Sequence, residues 1–258
     1  MTNYAPDGLF GLLTPQANTT VEAEVRVLCP PGMLPLVARL ISERATMDER
    51  LDEYVATLET TIARFSNAPL GAVALACTGM SYLVDPAEDR RRLDRIAAQR
   101  GYPVLTAAAA VGAALTALGA RRVGIVSPYG DPLHGKALRY WEATGLDIVR
   151  TERLAGAERA FHPIYGLGGD SAQAALAAIG TDGLEAVVIL GTGLPGLAAL
   201  KGARAGAVPV LTPNLALMWL TDCTLRGRSA DEASLRAWLD GTAWADRYNP
   251  AGAADARG

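Results

Sequence analysis

The sequence predicts an α/β fold of two pseudo-symmetric lobes, each a short, mostly parallel sheet flanked by helices, with the active site in the interlobe cleft. Three observations carry this prediction. Strand-like apolar runs alternate with helical patterns along the 258 residues, the order that builds a parallel sheet with helices on its faces. Most of these runs are apolar throughout, as strands covered on both sides require, and do not alternate. The strand-plus-loop units of the first half also recur in the second.

Taken in order, the first strand is expected over 8–13. A helix over 47–65 places Leu51, Tyr54, Val55, Leu58 and Ile62 on one stripe. A strand over 72–76 then runs into Cys77, and a charged amphipathic helix over 86–100 precedes a short strand at 104–105. The alanine-rich stretch 105–120 falls about four residues short of a membrane span. Further strands are expected over 123–126, 186–190 and 208–211. The apolar segment 215–220 seals either the core or an interface between copies, and the Ala/Gly-rich tail 250–258 reads as disordered.

The recurrence has three parts. Ala72-Val-Ala-Leu-Ala-Cys77-Thr78-Gly79 aligns with Ala186-Val-Val-Ile-Leu-Gly191-Thr192-Gly193, which sets Gly191 114 positions after Cys77. Gly11-Leu-Leu-Thr14-Pro15 aligns with Gly124-Ile-Val-Ser127-Pro128 at 113, and Pro103-Val-Leu-Thr106 with Pro209-Val-Leu-Thr212 at 106. Three matches in one order at nearly one spacing are the mark of duplication. The first lobe is expected to comprise residues 1–118 plus 213–258, and the second 119–212. All three units put small, hydroxyl and proline residues just past a strand, at the carboxyl edge where ligands of parallel sheets sit.

Composition narrows the function. With 24 Lys+Arg against 27 Asp+Glu and a net charge of −3, no basic face for nucleic acid is expected. Arg90, Arg91 and Arg92 form the densest basic cluster. Cys29, Cys77 and Cys223 are too few and too scattered for a disulfide framework or a zinc site. His134 and His162 are the only histidines, which excludes a histidine-rich metal centre. The Gly166-Leu-Gly168-Gly169-Asp170-Ser171 stretch lacks the spacing of a dinucleotide loop. Residues 1–10 show no export signal. The expectation is a cytoplasmic protein, off the membrane, with a homo-oligomer left open.

The duplicated loops carry the chemistry. Cys77-Thr78-Gly79-Met80-Ser81 sits between a strand and a helix-like stretch, so its N–H groups and hydroxyls converge on a carboxylate or developing oxyanion. Gly191-Thr192-Gly193 repeats small-hydroxyl chemistry on the other side; the alternative is that both are ordinary tight turns. A helix dipole at Cys77 is expected to lower its thiol toward thiolate, as nucleophile or proton carrier. The alternative is a small buried hydrophobe, the reading given to Cys29 and Cys223. Asn18 and Tyr129 offer donors from opposite lobes, or else an Asx-type cap and a packed aromatic. His134 reads as a surface or capping residue.

These residues resemble a known family. Gly11-Leu-Leu-Thr-Pro-Gln-Ala-Asn18-Thr-Thr-Val-Glu-Ala-Glu, Ala76-Cys77-Thr78-Gly79, Ser127-Pro128-Tyr129 and Pro209-Val-Leu-Thr-Pro-Asn214 are similar to the maleate isomerase and arylmalonate decarboxylase group of the aspartate/glutamate racemase superfamily. The resemblance implies two lobes, a small carboxylate substrate between them, and no metal or organic cofactor. It implies Cys77 as the first-lobe nucleophile, Asn18 and Tyr129 as carboxylate contacts, and Thr78, Gly79, Thr192 and Gly193 as anion-holding loops. Two departures stand out. Most relatives carry a second-lobe cysteine where this chain has Gly191, and an asparagine that the isomerases often place after the Asp170 position is Ser171 here.

Racemisation needs an acid/base group on each face of a carbon, so a lone thiol disfavours it. Two one-thiol reactions remain. In cis–trans isomerisation the Cys77 thiolate adds to a conjugated diacid, permits rotation and leaves; in decarboxylation Cys77 protonates an enediolate from one face. Isomerisation is the expected reaction and decarboxylation the alternative, with aliphatic and aryl substrates undistinguished. A non-catalytic anion-binding protein is the non-enzymatic alternative.

Overall fold

The computed structural model describes residues 3–154, 163–204 and 206–248; His162 and the 250–258 tail lie outside them. Among the described residues, β1 (Gly8–Pro15), β2 (Met33–Leu40), β3 (Leu70–Leu75) and β4 (Val104–Thr106) form a sheet in the order β2-β1-β3-β4. A second sheet, β6-β5-β7-β8, contains β5 (Arg122–Ser127), β6 (Asp147–Arg153), β7 (Ala186–Ile189) and β8 (Val210–Leu211). Every pairing in both is parallel. The helices of the first half are α1 (Val21–Leu28), α2 (Met47–Ala56), α3 (Leu58–Ala63), α4 (Thr78–Ser81), α5 (Pro86–Arg100) and α6 (Ala107–Ala117). Those of the second are α7 (Leu133–Ala143), α8 (Gly169–Ile179), α9 (Leu197–Ala203), α10 (Pro213–Leu225) and α11 (Glu232–Leu239), with a 3₁₀ turn at Pro163–Gly166.

The two sheets share one topology, and the repeat holds bond by bond. Ala76 N–H donates to Leu13 C=O at 2.8 Å, and Leu190 N–H to Val126 C=O at 2.8 Å. Val73 N–H donates to Pro103 C=O at 2.9 Å, and Val187 N–H to Pro209 C=O at 2.9 Å. Thr106 and Thr212 each cap the following helix, their hydroxyls accepting from Ala109 N–H and Leu215 N–H.

Two local features depart from the sequence expectation, and one alternative that it left open is decided. Two of the four outer strands, β2 and β6, are unmarked in the sequence. They lie at sheet edges, are half-exposed, and mix apolar with charged residues and Pro35, so no continuous apolar run marks them. The helix expected over 47–65 is two, α2 and α3. They part at Thr57 (φ −99°, ψ 6°), whose hydroxyl donates back to Glu53 C=O at 2.7 Å. Segment 215–220 serves the core: Leu215, Ala216, Leu217, Met218 and Trp219 are buried, and α10 packs on α6, α1, β3 and β4. Among the described residues no helix is long and apolar enough to cross a membrane.

The repeated glycine of each central strand is a point of close approach. A Cβ on Gly11 would lie 2.6 Å from Phe65 Cε2 and 2.8 Å from Cζ, and one on Gly124 would lie 2.7 Å from Leu184 Cδ1. A rigid ring pressed on the strand has less room to yield than a leucine methyl. Gly11→Ala is therefore expected to cost about 1–3 kcal/mol and Gly124→Ala distinctly less, read from denaturant unfolding midpoints.

Candidate active site

The carboxyl ends of β1 and β3 face those of β5 and β7 across a cavity of about 280 Å³. The first half contributes Pro15, Asn18, Cys77, Thr78 and Gly79 to its walls, the second Pro128, Tyr129, Thr192 and Gly193. The site residues named from the sequence therefore converge on one space, with the exception of Gly191, which is not among its walls. The remaining walls were not foreseen. Met47, Leu51 and Tyr54 from α2, and Leu133, Ile164 and Tyr165 from the second half, make the outer part largely apolar. Arg50 adds a guanidinium. At the rim, Lys136 Nζ of α7 meets Asp48 Oδ2 of α2 at 2.7 Å, an ion pair from one half to the other.

Cys77 caps the short α4 and is 4% exposed. The N–H groups of Met80 and Gly79 are directed at its sulfur, yet burial outweighs them and pushes the thiol up to about 11. The expected drop toward thiolate is overturned. A helix of four residues has little dipole to offer, and the desolvated sulfur keeps its proton at neutral pH. Cys29, partly exposed at the end of α1, and Cys223, buried on α10, do not line the cavity.

The polar floor is tied together across the two halves. Thr78 Oγ1 and Tyr129 Oη are 2.8 Å apart, Thr192 Oγ1 donates to Ala76 C=O at 3.0 Å, and Thr20 Oγ1 donates to Gly193 C=O at 2.7 Å. Asn18 makes the Asx-type cap expected of it, and it also lines the cavity. Its Oδ1 accepts from the N–H groups of Thr20 (2.9 Å) and Val21 (3.0 Å) at the start of α1, while Nδ2 donates to Thr192 Oγ1 at 3.3 Å. Tyr129 also packs edge-on against Tyr82, with centroids 6.0 Å apart, and burial holds its phenol above the ordinary range. His134 stands behind the wall, with Nδ1 3.0 Å from Ser127 Oγ, a buttress for the end of β5. The glycine-rich stretch after Gly166 leads into α8.

Gly191 shows what occupies the place of a second-lobe side chain. Its φ is +91°, a region that favours glycine, and a Cβ there would lie 2.6 Å from Ile164 Cδ1 and 2.8 Å from Pro128 Cγ. Tyr129 Oη would be 3.5 Å away. The space that a side chain at position 191 would take is thus filled by Ile164 and Pro128, with the Tyr129 hydroxyl beside them.

Comparison with known proteins gives the same grouping. The sequence model of the family described as "Arylmalonate decarboxylase" matches residues 10–225. The chain belongs to the arylmalonate decarboxylase family. A maleate isomerase of Geobacillus stearothermophilus is 26% identical over 157 residues, which cover 54% of this chain and 61% of that protein, so the match spans about three fifths of the relative's length. A cysteine-to-alanine form of the maleate isomerase Iso from Pseudomonas putida S16, solved with maleate, has the same fold. Its TM-score is 0.78 at 21% identity, covering 91% of this chain and 98% of that one. A cysteine-to-serine mutant of the Nocardia farcinica maleate cis–trans isomerase, solved with a covalently bound succinylcysteine intermediate, gives TM-score 0.75 at 25% identity, covering 89% and 98%.

One group in this member of the arylmalonate decarboxylase family escaped the sequence reading. Glu24 of α1 is 4% exposed and accepts from Gly196 N–H (2.6 Å), Leu197 N–H (3.3 Å) and Asn214 Nδ2 (2.8 Å). The legible signal was an acid inside the apolar stripe of Val21, Val25 and Leu28. No group of three or more His, Cys, Asp or Glu able to hold a metal occurs among the described residues.

Burial raises the Glu24 carboxyl from 4.5 to about 7 despite those three donors. Between these values the folded protein binds more protons than the unfolded chain, so its stability falls as pH rises from 4.5 toward 7. The full shift corresponds to about 3 kcal/mol. Thermal unfolding of the parent and of Glu24→Gln across this range is expected to show the decline only in the parent.

Proposed function

We propose that the protein is a cofactor-independent cis–trans isomerase of a small unsaturated dicarboxylate of the maleate type, with Cys77 as nucleophile. The observation that carries this reading is the convergence of one cavity-lining sulfur with hydroxyl and amide donors from both halves of the chain. The relatives named maleate isomerase, and a relative solved as a succinylcysteine adduct, support it. The adduct is what addition of a cysteine sulfur across the double bond of maleate gives.

After the thiol proton passes to solvent, Cys77 Sγ forms a bond to one alkene carbon, and the π pair moves into the carboxylate attached to the other, giving an enediolate. The central bond is then single and rotates. The pair returns, the C–S bond breaks, and the trans diacid leaves with the thiolate restored. The hydroxyl pair Thr78 and Tyr129, the second amide hydrogen of Asn18 and the backbone N–H groups of Thr192 and Gly193 are assigned to the two carboxylates and the dioxyanion, while Gly79 N–H serves the Cys77 sulfur. One such donor is worth about 10²–10³ in rate. We assign residues 1–118 plus 213–258 to the first lobe and 119–212 to the second; the packing of α10 on β3, β4 and α6 supports that division.

A second reading, decarboxylation of an arylmalonate with Cys77 as proton donor, is favoured by a specific observation. Met47, Leu51, Leu133 and Ile164 line a cavity of about 280 Å³, whereas about 150 Å³ encloses a benzene. The protonated resting thiol is also the form a donor needs.

Proton NMR in deuterated water with maleate, and separately with phenylmalonate, separates the two. Fumarate is expected from the first, and a stereospecifically deuterated monoacid from the second would replace the isomerase reading. Cys77→Ala is expected to abolish turnover, while Cys29→Ala and Cys223→Ala retain it. Ligand binding by the unaltered protein without turnover would favour the anion-binding alternative.

The thiol at about 11 adds a kinetic signature. A thiolate nucleophile gives kcat/KM that climbs about tenfold per pH unit from 7 to 9, whereas a thiol proton donor gives a flat profile there.

A further inference from the structure

We infer that Glu24 is a positioning residue, acting through the Asn214 side chain to fix the Thr192 segment against the strand that carries Cys77. The kinetic part of this inference rests on the isomerase reading above; the structural part does not. Asn214 Nδ2 is shared between Glu24 Oε2 at 2.8 Å and Thr192 C=O at 3.0 Å. Thr192 in turn gives its hydroxyl proton to Ala76 C=O, the residue before Cys77, at 3.0 Å. A line of buried hydrogen bonds therefore runs from α1 through the start of α10 to the cavity floor, and neither Glu24 nor Asn214 lines the cavity.

The carboxylate is suited to this place because its neighbours are donors. Its other oxygen accepts from Gly196 and Leu197 N–H at the start of α9. An amide at position 24 would accept from these two but turn its NH₂ toward Asn214 Nδ2, donor against donor. Asn214 holds a remedy in its Oδ1, which is buried with no hydrogen-bond partner. Rotating the amide presents that oxygen to the glutamine and swings Nδ2 away from Thr192 C=O. Glu24→Gln thus keeps the packing and removes the tie. Asn214→Ala removes the tie by another route and leaves the Glu24 contacts with α9 intact.

A double-mutant cycle tests the inference. Glu24→Gln and Asn214→Ala are each expected to lower kcat for maleate by about tenfold to a hundredfold, the scale of a misplaced floor, with KM little changed. The double variant is expected to be no worse than the poorer single, because both break one line of contacts. Wild-type kcat in Asn214→Ala, or losses that multiply in the double variant, would overturn it. If Glu24→Gln fails to fold, Asn214→Ala decides alone.

Amide hydrogen exchange reads the same tie without substrate. Protection of the Leu194 amide, which donates to Gly191 C=O at 3.3 Å, is expected to fall in both variants, while that of the β1 and β3 amides stays at the parent level. Unchanged protection at Leu194 would refute the inference. Lowered protection there, in a protein that leaves maleate untouched, would sustain the positioning role and reject the isomerase.

Discussion

The structure depends on satisfying polar backbone where two sheet edges meet. A parallel sheet ends in a row of carbonyl and N–H groups that its own ladder does not complete, and burying such a row is costly unless partners are found. Here two such edges face one another and each supplies what the other lacks. Thr192 closes on the carbonyl of Ala76, Thr20 on that of Gly193, and Glu24 receives the N–H groups that open α9. The cavity is the part of this seam left open for a guest, and a guest bearing carboxylates completes it in the same currency of accepted hydrogen bonds.

Duplication explains why the seam is nearly symmetric and why its two sides differ chemically. The matched hydrogen bonds of the two sheets put Cys77 and Gly191 at equivalent turns, yet one bears a sulfur and the other nothing. Ile164, Pro128 and Tyr129 crowd the vacant side. Chemistry that requires a proton to leave one face and return on the other finds no thiol opposite Cys77, so the arrangement suits reactions in which a single sulfur acts from one direction.

Much of this was legible in the sequence, for identifiable reasons. Buried central strands such as β3 and β7 are continuously apolar because both faces are covered, and the repeated loops stand out because small and hydroxyl residues follow those strands at one spacing. The edge strands β2 and β6 escaped because half-exposed residues obey no such rule, whereas the edge strands β4 and β8 are short and largely buried, and nothing in the sequence marks the break at Thr57. The thiol was misjudged because sequence places a cysteine at a helix start but does not reveal how thoroughly water is removed from it. Glu24 was passed over because an acid on a short amphipathic helix reads as solvated until the opposite half of the chain is seen to cover it.

Gly191 also bears on how this chain could be re-engineered. Its backbone lies where only glycine rests easily, and the neighbouring alkyl groups already fill the volume of a side chain. A cysteine introduced there meets two separate obstacles, a left-handed backbone that resists any side chain and a pyrrolidine ring with little freedom to give way. Supplying a paired sulfur to this cavity thus takes more than one exchange: the turn and its apolar neighbours have to be remade together.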